Sequence, residues 1–167
     1  ACAAQRGNPA TKPVLSPIVN EASDPKLAQV GYIDDGAFEN CDYLTSVDLS
    51  SATNLKTIPP YCFNDCDELD TVVLPTSVNR IQDSAFTSED PAKDITVTIP
   101  SKEVFIELDA FNHTEDSTIR TYEDSAAARY AQQYGLKLDT GLGETYRVQF
   151  WDSETGELLD TQYVAEG

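Results

Sequence analysis

Apolar residues along this chain recur at a long and nearly constant interval. From Ile33 the sequence reads I-D-D-G-A-F-E-N-C-D-Y-L-T-S-V-D-L-S, and from Ile58 it reads I-P-P-Y-C-F-N-D-C-D-E-L-D-T-V-V-L-P. A third unit opens at Ile81 with I-Q-D-S-A-F and, after a variable loop, closes with I-T-V-T-I-P at Pro100. A fourth opens at Ile106 with I-E-L-D-A-F and closes with T-I-R-T-Y at Tyr122. Phe38, Phe63, Phe86 and Phe111 mark steps of 25, 23 and 25 residues, while Val47, Val72 and Val97 keep a step of 25 throughout. The short step has a local cause. Leu49 to Ile58 spans 9 residues and Leu74 to Ile81 only 7, and two extra residues after Phe86 restore the register. Insertions confined to loops are what stacked coils tolerate.

A unit of about 20–29 residues cannot bury its own apolar stripe, so it predicts stacking, with each recurring position becoming a ladder. In the segment Val-x-Leu both apolar side chains fall on one face of a short strand. Successive strands then pair into a parallel sheet. The small residue before each phenylalanine (Ala37, Cys62, Ala85, Ala110) predicts a tight turn whose Phe fills the coil's centre. Pro75 and Pro100 follow their strands, where a missing N–H ends the ladder. With Val47, Leu49 and their equivalents inside, the alternating neighbours face outward. These are Ser46 and Asp48, Thr71 and Val73, Thr96 and Thr98, and Thr118 and Arg120. The sheet face of a solenoid is its usual binding surface, so these eight are the candidate ligand-binding residues.

The motif I-x-x-x-A-F-x-x-C-x-x-L-x-x-V-x-L-P resembles the BspA-type leucine-rich repeats of bacterial surface proteins, over roughly Leu27 to Leu138. That resemblance implies a β-rich leucine-rich-repeat solenoid of about four coils of 23–25 residues with short parallel strands. The residues after Tyr122 predict a capping helix at about 125–134. Asp124 or Ser125 can cap its start, Gly135 supplies the left-handed stop, and Tyr130 and Tyr134 share a face. Tyr146, Val148 and Phe150 alternate as a strand, Asp152 to Gly156 reads as a turn, and Leu158 to Val164 completes a β-hairpin. This last stretch resembles the start of the small β-modules (Listeria–Bacteroides and mucin-binding types) on Gram-positive surface proteins. The domain reading is therefore a proline-rich tether over 1–26, the solenoid with its helix over 27–140, and a partial β-module over 145–167.

Charge narrows the partners. The chain carries 29 acidic and 11 basic residues, a formal charge of -18. Such a chain is repelled by nucleic acid and by anionic membrane surfaces. No apolar run is long enough to span a bilayer, so membrane insertion is not expected, and the chain is expected to be a monomer. The leader carries Pro9, Pro13, Pro17 and Pro25 and reads as a linker or tether, the pattern expected either of a secreted protein after signal removal or of a chain trimmed to a domain.

Candidate chemistry is sparse. His113 is the one histidine and sits in a variable loop, which leaves no base for a Ser-His-Asp or Cys-His arrangement elsewhere. Paired acids (Asp34-Asp35, Glu89-Asp90, Glu115-Asp116, Glu123-Asp124) fall at turns, where Asp suits the backbone geometry. Cys62 and Cys66 lack a second pair to complete a zinc site. The resemblance implies that Cys41, Cys62 and Cys66 are buried free thiols. A Cys41–Cys66 bridge between stacked coils is the alternative, and Cys2 in the leader is a candidate for lipid attachment. No metal, cofactor or enzymatic activity is expected. The resemblance implies an extracellular, cell-surface binding or adhesion module whose sheet face recognises a host or matrix protein or glycan. A structural spacer, or an ancillary domain of a larger surface enzyme, are the other readings.

Overall fold

The computed structural model describes residues 27–90, 93–111, 116–143, 145–151 and 158–165. After a short 3-10 turn at Leu27–Gln29, strands follow at β1 (Ser46–Asp48), β2 (Thr57–Ile58), β3 (Thr71–Val73), β4 (Arg80–Ile81), β5 (Thr96–Thr98), β6 (Phe105–Ile106) and β7 (Thr118–Arg120). Helix α1 (Ala126–Tyr134) comes next, then β8 (Lys137–Asp139), β9 (Thr145–Trp151) and β10 (Leu158–Ala165). Strands of successive coils line up in two parallel sheets, one of five strands and one of three. One sheet runs β1-β3-β5-β7-β8 and the other β2-β4-β6. The solenoid and its closing helix stand as the repeat pattern predicts.

The ladders form in the expected register. Val47 pairs with Val72, Val72 with Val97, Val97 with Ile119, and Ile119 with Leu138. Ile58 pairs with Ile81 and Ile81 with Ile106 in the second sheet. The phenylalanine rings stack along the axis, with centroids 5.2 Å apart from Phe38 to Phe63, 5.4 Å to Phe86 and 4.9 Å to Phe111. These spacings follow from the distance between hydrogen-bonded strands, about 4.8 Å. Since nearly parallel rings at this separation place face on face, each Phe covers the next.

Turn geometry obeys the same repeat. Gly36, Tyr61 and Ser84 each lie three residues past their ladder isoleucine, and all three have positive φ (61°, 55° and 53°). Their N–H groups donate to the next coil, at Pro60, Asp83 and Asp109 respectively. Coil-to-coil hydrogen bonding thus holds the left-handed conformation even where the residue is tyrosine, against its ordinary steric cost.

Helix α1 closes the far end of the stack. Ser125 is its N-cap, accepting a hydrogen bond from Ala128 N at 3.0 Å, so Ser125 and not Asp124 takes the capping role. Gly135 stops the helix at φ 75° and donates to the Ala131 carbonyl. Ala127, Ala128 and Ala131 are buried, and their small size lets the helix approach the last coil closely. Tyr130 extends the aromatic column at 6.0 Å from Phe111, and its hydroxyl donates to the Leu108 carbonyl at 3.0 Å. Burial pushes that phenol up to about 12. Beyond the helix, β9 and β10 pair as an antiparallel hairpin from Thr145↔Ala165 to Trp151↔Leu158. The expected tether over 1–26, His113 and the hairpin turn lie outside the described residues.

The cysteines require a correction. Cys41, Cys62 and Cys66 are all buried as expected, and Cys62 and Cys66 are free thiols. Cys41, however, is disulfide-bonded. Its partner is neither Cys62 nor Cys66, so the Cys41–Cys66 bridge does not form. Repeat position governs burial, but it does not decide which buried cysteine is bonded.

Candidate sheet-face binding site

All eight predicted residues lie on one face of the five-stranded sheet. Strand pairing sorts them into two rows. The first runs Ser46–Thr71–Thr96–Thr118, and the second Asp48–Val73–Thr98–Arg120. Within each strand the middle residue is buried and its two neighbours are half-buried or exposed. The alternation of the pleat produces this directly. Adjacent members of a row sit about 4.8 Å apart, which sets Thr71, Thr96 and Thr118 as a line of hydroxyls at constant spacing.

The structure adds a fifth column. Strand β8 pairs with β7 and brings Lys137 beside Thr118 and Asp139 beside Arg120. Strand β8 follows the helix and lacks the repeat motif, so periodicity did not mark it. Its one sequence signal is Leu138 flanked by polar residues, the alternation of a half-buried strand. The new column changes the electrostatics. Arg120 Nε lies 3.4 Å from Asp139 Oδ2, and Lys137 Nζ lies 3.0 Å from Asp116. Lys93, at the sheet margin, pairs with Asp70 at 3.6 Å. Asp139 also accepts from Gly141 N at 2.8 Å, and Asp48 accepts from Ser50 N at 2.8 Å. The positive charges of this face are therefore matched locally, and its centre is neutral and hydroxyl-rich.

The foundation under the face is rigid. Val47, Val72, Val97 and Ile119 are buried directly beneath the rows. Buried Ser117 accepts from Ile95 N at 3.2 Å, and buried Thr121 donates to the Ile99 carbonyl at 2.7 Å and shares a 2.9 Å hydrogen bond with Ser125. The strand ends are thus tied to the neighbouring coil and to the capping helix. A surface held this way presents its hydroxyls without a large ordering cost on binding.

Elsewhere the acidic turns also stack. Asn40, Asp42, Asp65, Asp67, Glu89 and Asp90 line a shallow depression of about 450 Å³. Among the described residues no group of three His, Cys, Asp or Glu is placed to hold a metal ion. Burial raises both free thiols, Cys66 to about 11 and Cys62 further, which keeps them protonated and unreactive at neutral pH. No helix among the described residues is long and apolar enough to cross a membrane.

The model of the BspA type leucine rich repeat region matches residues 25–127 in six copies. The match ends before the hairpin. No curated protein and no solved structure matches the chain. Proteins of this family are often surface-associated and protein-binding, and the repeat is typically non-catalytic. The stacked Ile, Phe and Val ladders and the family match over most of the solenoid agree, and the chain belongs to the BspA-type leucine-rich-repeat family.

Proposed function

We propose that this chain is a non-catalytic binding module of a bacterial cell surface, and that the outward face of its five-stranded sheet holds a macromolecular partner, a host or matrix protein or glycan. The observation that carries this reading is the pair of outward rows. They cross all five strands, their positive charges are paired in place, and the central hydroxyls of Thr71, Thr96, Thr98 and Thr118 are left to hydrogen-bond a ligand. Recognition would proceed by hydrogen bonds and shape, with no bond made or broken. The strongly acidic remainder of the chain steers away nucleic acid and other polyanions. The disulfide at Cys41 supports an oxidising, extracellular location. The family's association with surface proteins supports it as well.

The test is binding of the chain to a panel of matrix proteins, host glycoproteins and wall polysaccharides, with Thr96→Lys/Thr98→Lys measured alongside. Saturable binding that drops at least tenfold in the double variant is expected. Binding that survives the double variant overturns the sheet face as the site. Failure to bind anything on the panel favours a spacer that holds another domain away from the wall.

A further inference from the structure

The five-stranded sheet ends at β1 on an open edge. Leu49 N donates to the Val73 carbonyl at 2.8 Å, and the Thr45 carbonyl accepts from Asp70 N at 2.9 Å. Thr45 and Leu49, with Val47 between them, therefore turn their backbone groups toward β3. Successive residues of an extended chain point their peptide groups in opposite directions, so Ser46 and Asp48 turn theirs the other way. Among the described residues no hydrogen bond reaches the N–H or C=O of either. Ser50 N, next along the edge, is already held by the Asp48 carboxylate at 2.8 Å. We propose that this edge takes an extended, cationic segment of a partner protein as an additional strand. This surface is separate from the outward sheet face and independent of what that face holds.

Two features beside the edge define the segment. A solenoid leaves apolar surface open at an uncapped end. Phe38 and Leu44 of the first coil are half-buried, while their counterparts Phe63 and Leu69 are at most 2% exposed, and Tyr43, just before β1, is 50% exposed. The second feature is charge. From Val30 to Asn54 the chain carries Asp34, Asp35, Glu39, Asp42 and Asp48 and no lysine or arginine. Asp34, Asp35 and Asp42 are exposed. A second copy of this chain would set one acidic rim against another, and like charges across an interface are disfavoured. A basic segment meets opposite charge.

Strand addition specifies the side chains as well as the charge. Main-chain hydrogen bonds to Ser46 and Asp48 hold the segment, and its side chains alternate between the two sides of the sheet. On the inner side an apolar residue extends the Val47–Val72–Val97 ladder over the first coil. On the outer side a lysine or arginine stands beside Ser46 and Asp48, where opposite charges across strands attract. The matching ligand therefore alternates apolar and cationic residues. An open edge is otherwise a liability for self-association, which the acidic rim restrains by repulsion.

The experiment is titration of the isotope-labelled full chain, followed by amide NMR, with a blocked peptide of alternating valine and lysine and with its valine–glutamate counterpart. Saturable shifts centred on the Ser46 and Asp48 amides are expected, with the glutamate peptide weaker by at least about tenfold. Ser46→Pro removes one donor at a position where proline is tolerated, because the Ser46 N–H faces away from the sheet. It should weaken the lysine peptide by about tenfold, whereas Thr96→Lys/Thr98→Lys, two strands away, should change its affinity by less than about twofold. Asp35→Asn/Asp42→Asn alters no strand and should weaken binding several-fold and flatten its salt dependence, which keeps the test decisive even where the proline variant does not fold. Absence of saturable shifts, equal binding of the two peptides, shifts confined to the Thr96 and Thr98 rows, or a concentration-dependent dimer that protects the Ser46 and Asp48 amides overturns the proposal.

Discussion

The two faces of the five-stranded sheet are built from alternate residues of the same strands, yet they obey opposite rules. The inner row repeats one chemistry: Val47, Val72, Val97, Ile119 and Leu138 stack in register. One outer row changes at every step, running from Asp48 through Val73 and Thr98 to Arg120 and Asp139, and the other holds threonine across its middle but begins at Ser46 and ends at Lys137. The inner positions must fill a fixed volume between coils, so variation there costs packing. The outer positions meet solvent, and packing does not fix their chemistry. The difference teaches which side of the sheet packing constrains and which it leaves open for the proposed recognition, and it is open to attack by substitution on each side.

The largest effect is expected at the centre of the aromatic column. Phe86 is stacked between Phe63 and Phe111 and is 2% exposed. Phe86→Ala leaves a cavity spanning two coil interfaces and is expected to cost about 3–5 kcal/mol, read as a lower midpoint in urea unfolding. A cost below about 1 kcal/mol would show that the coils collapse around the gap and that the ladder is not what holds them.

Next in size is the alkaline limit set by the two buried thiols. Their values in the fold lie above the ordinary 9.0 because burial disfavours the thiolate. The unfolded chain therefore loses its thiol protons first as pH rises, so stability present below pH 9 is lost above it. For Cys66 the window closes near pH 11, a difference of roughly 2–3 kcal/mol. Urea midpoints measured from pH 8 to 10.5 should fall steeply, and less so in Cys66→Ala. Equal slopes in the two proteins would place the alkaline loss elsewhere.

Most of this inner architecture was legible in the sequence, because a ladder position declares itself by repetition. Phe38, Phe63, Phe86 and Phe111 announced the coil, and Val-x-Leu announced the sheet and with it the two outward rows. What escaped was whatever does not repeat. Strands β2, β4 and β6 are two residues long and bury at most one residue each, too little for alternation to show. Strand β8 stands outside the repeat, and with it the Arg120–Asp139 and Lys137–Asp116 pairs that neutralise the face. The bond at Cys41 was hidden for the same reason, since periodicity relates a cysteine only to its equivalents one coil away.

A smaller effect tests how firmly the cap is joined to the ladder. Ser125 caps the helix and hydrogen-bonds Thr121, whose hydroxyl also reaches the Ile99 carbonyl of the neighbouring coil. Ser125→Ala removes the cap and one partner of a buried network, and is expected to cost about 1–2 kcal/mol. Hydrogen exchange of the amides in α1 and β8 should quicken more than that of β3 and β5. Uniform acceleration would show that cap and coils open as one unit.

The smallest stability effect is expected on the outer face, where it is also the most informative. Thr96→Lys/Thr98→Lys places two long cations among half-exposed hydroxyls, with no volume added to the interior. Row 98 carries a cost: Thr98 pairs with Arg120 across the strands, so a lysine there meets a like charge. Arg120 is already paired with Asp139, which reduces that repulsion. Loss of threonine's strand preference adds a few tenths of a kcal/mol, and the sum stays below about 1 kcal/mol. Thr98→Glu sharpens the point, because a carboxylate facing Arg120 should be less destabilising than the lysine. If instead the lysine pair unfolds the protein as severely as Phe86→Ala, the outer face is structural, and its variation along the rows does not reflect freedom to bind.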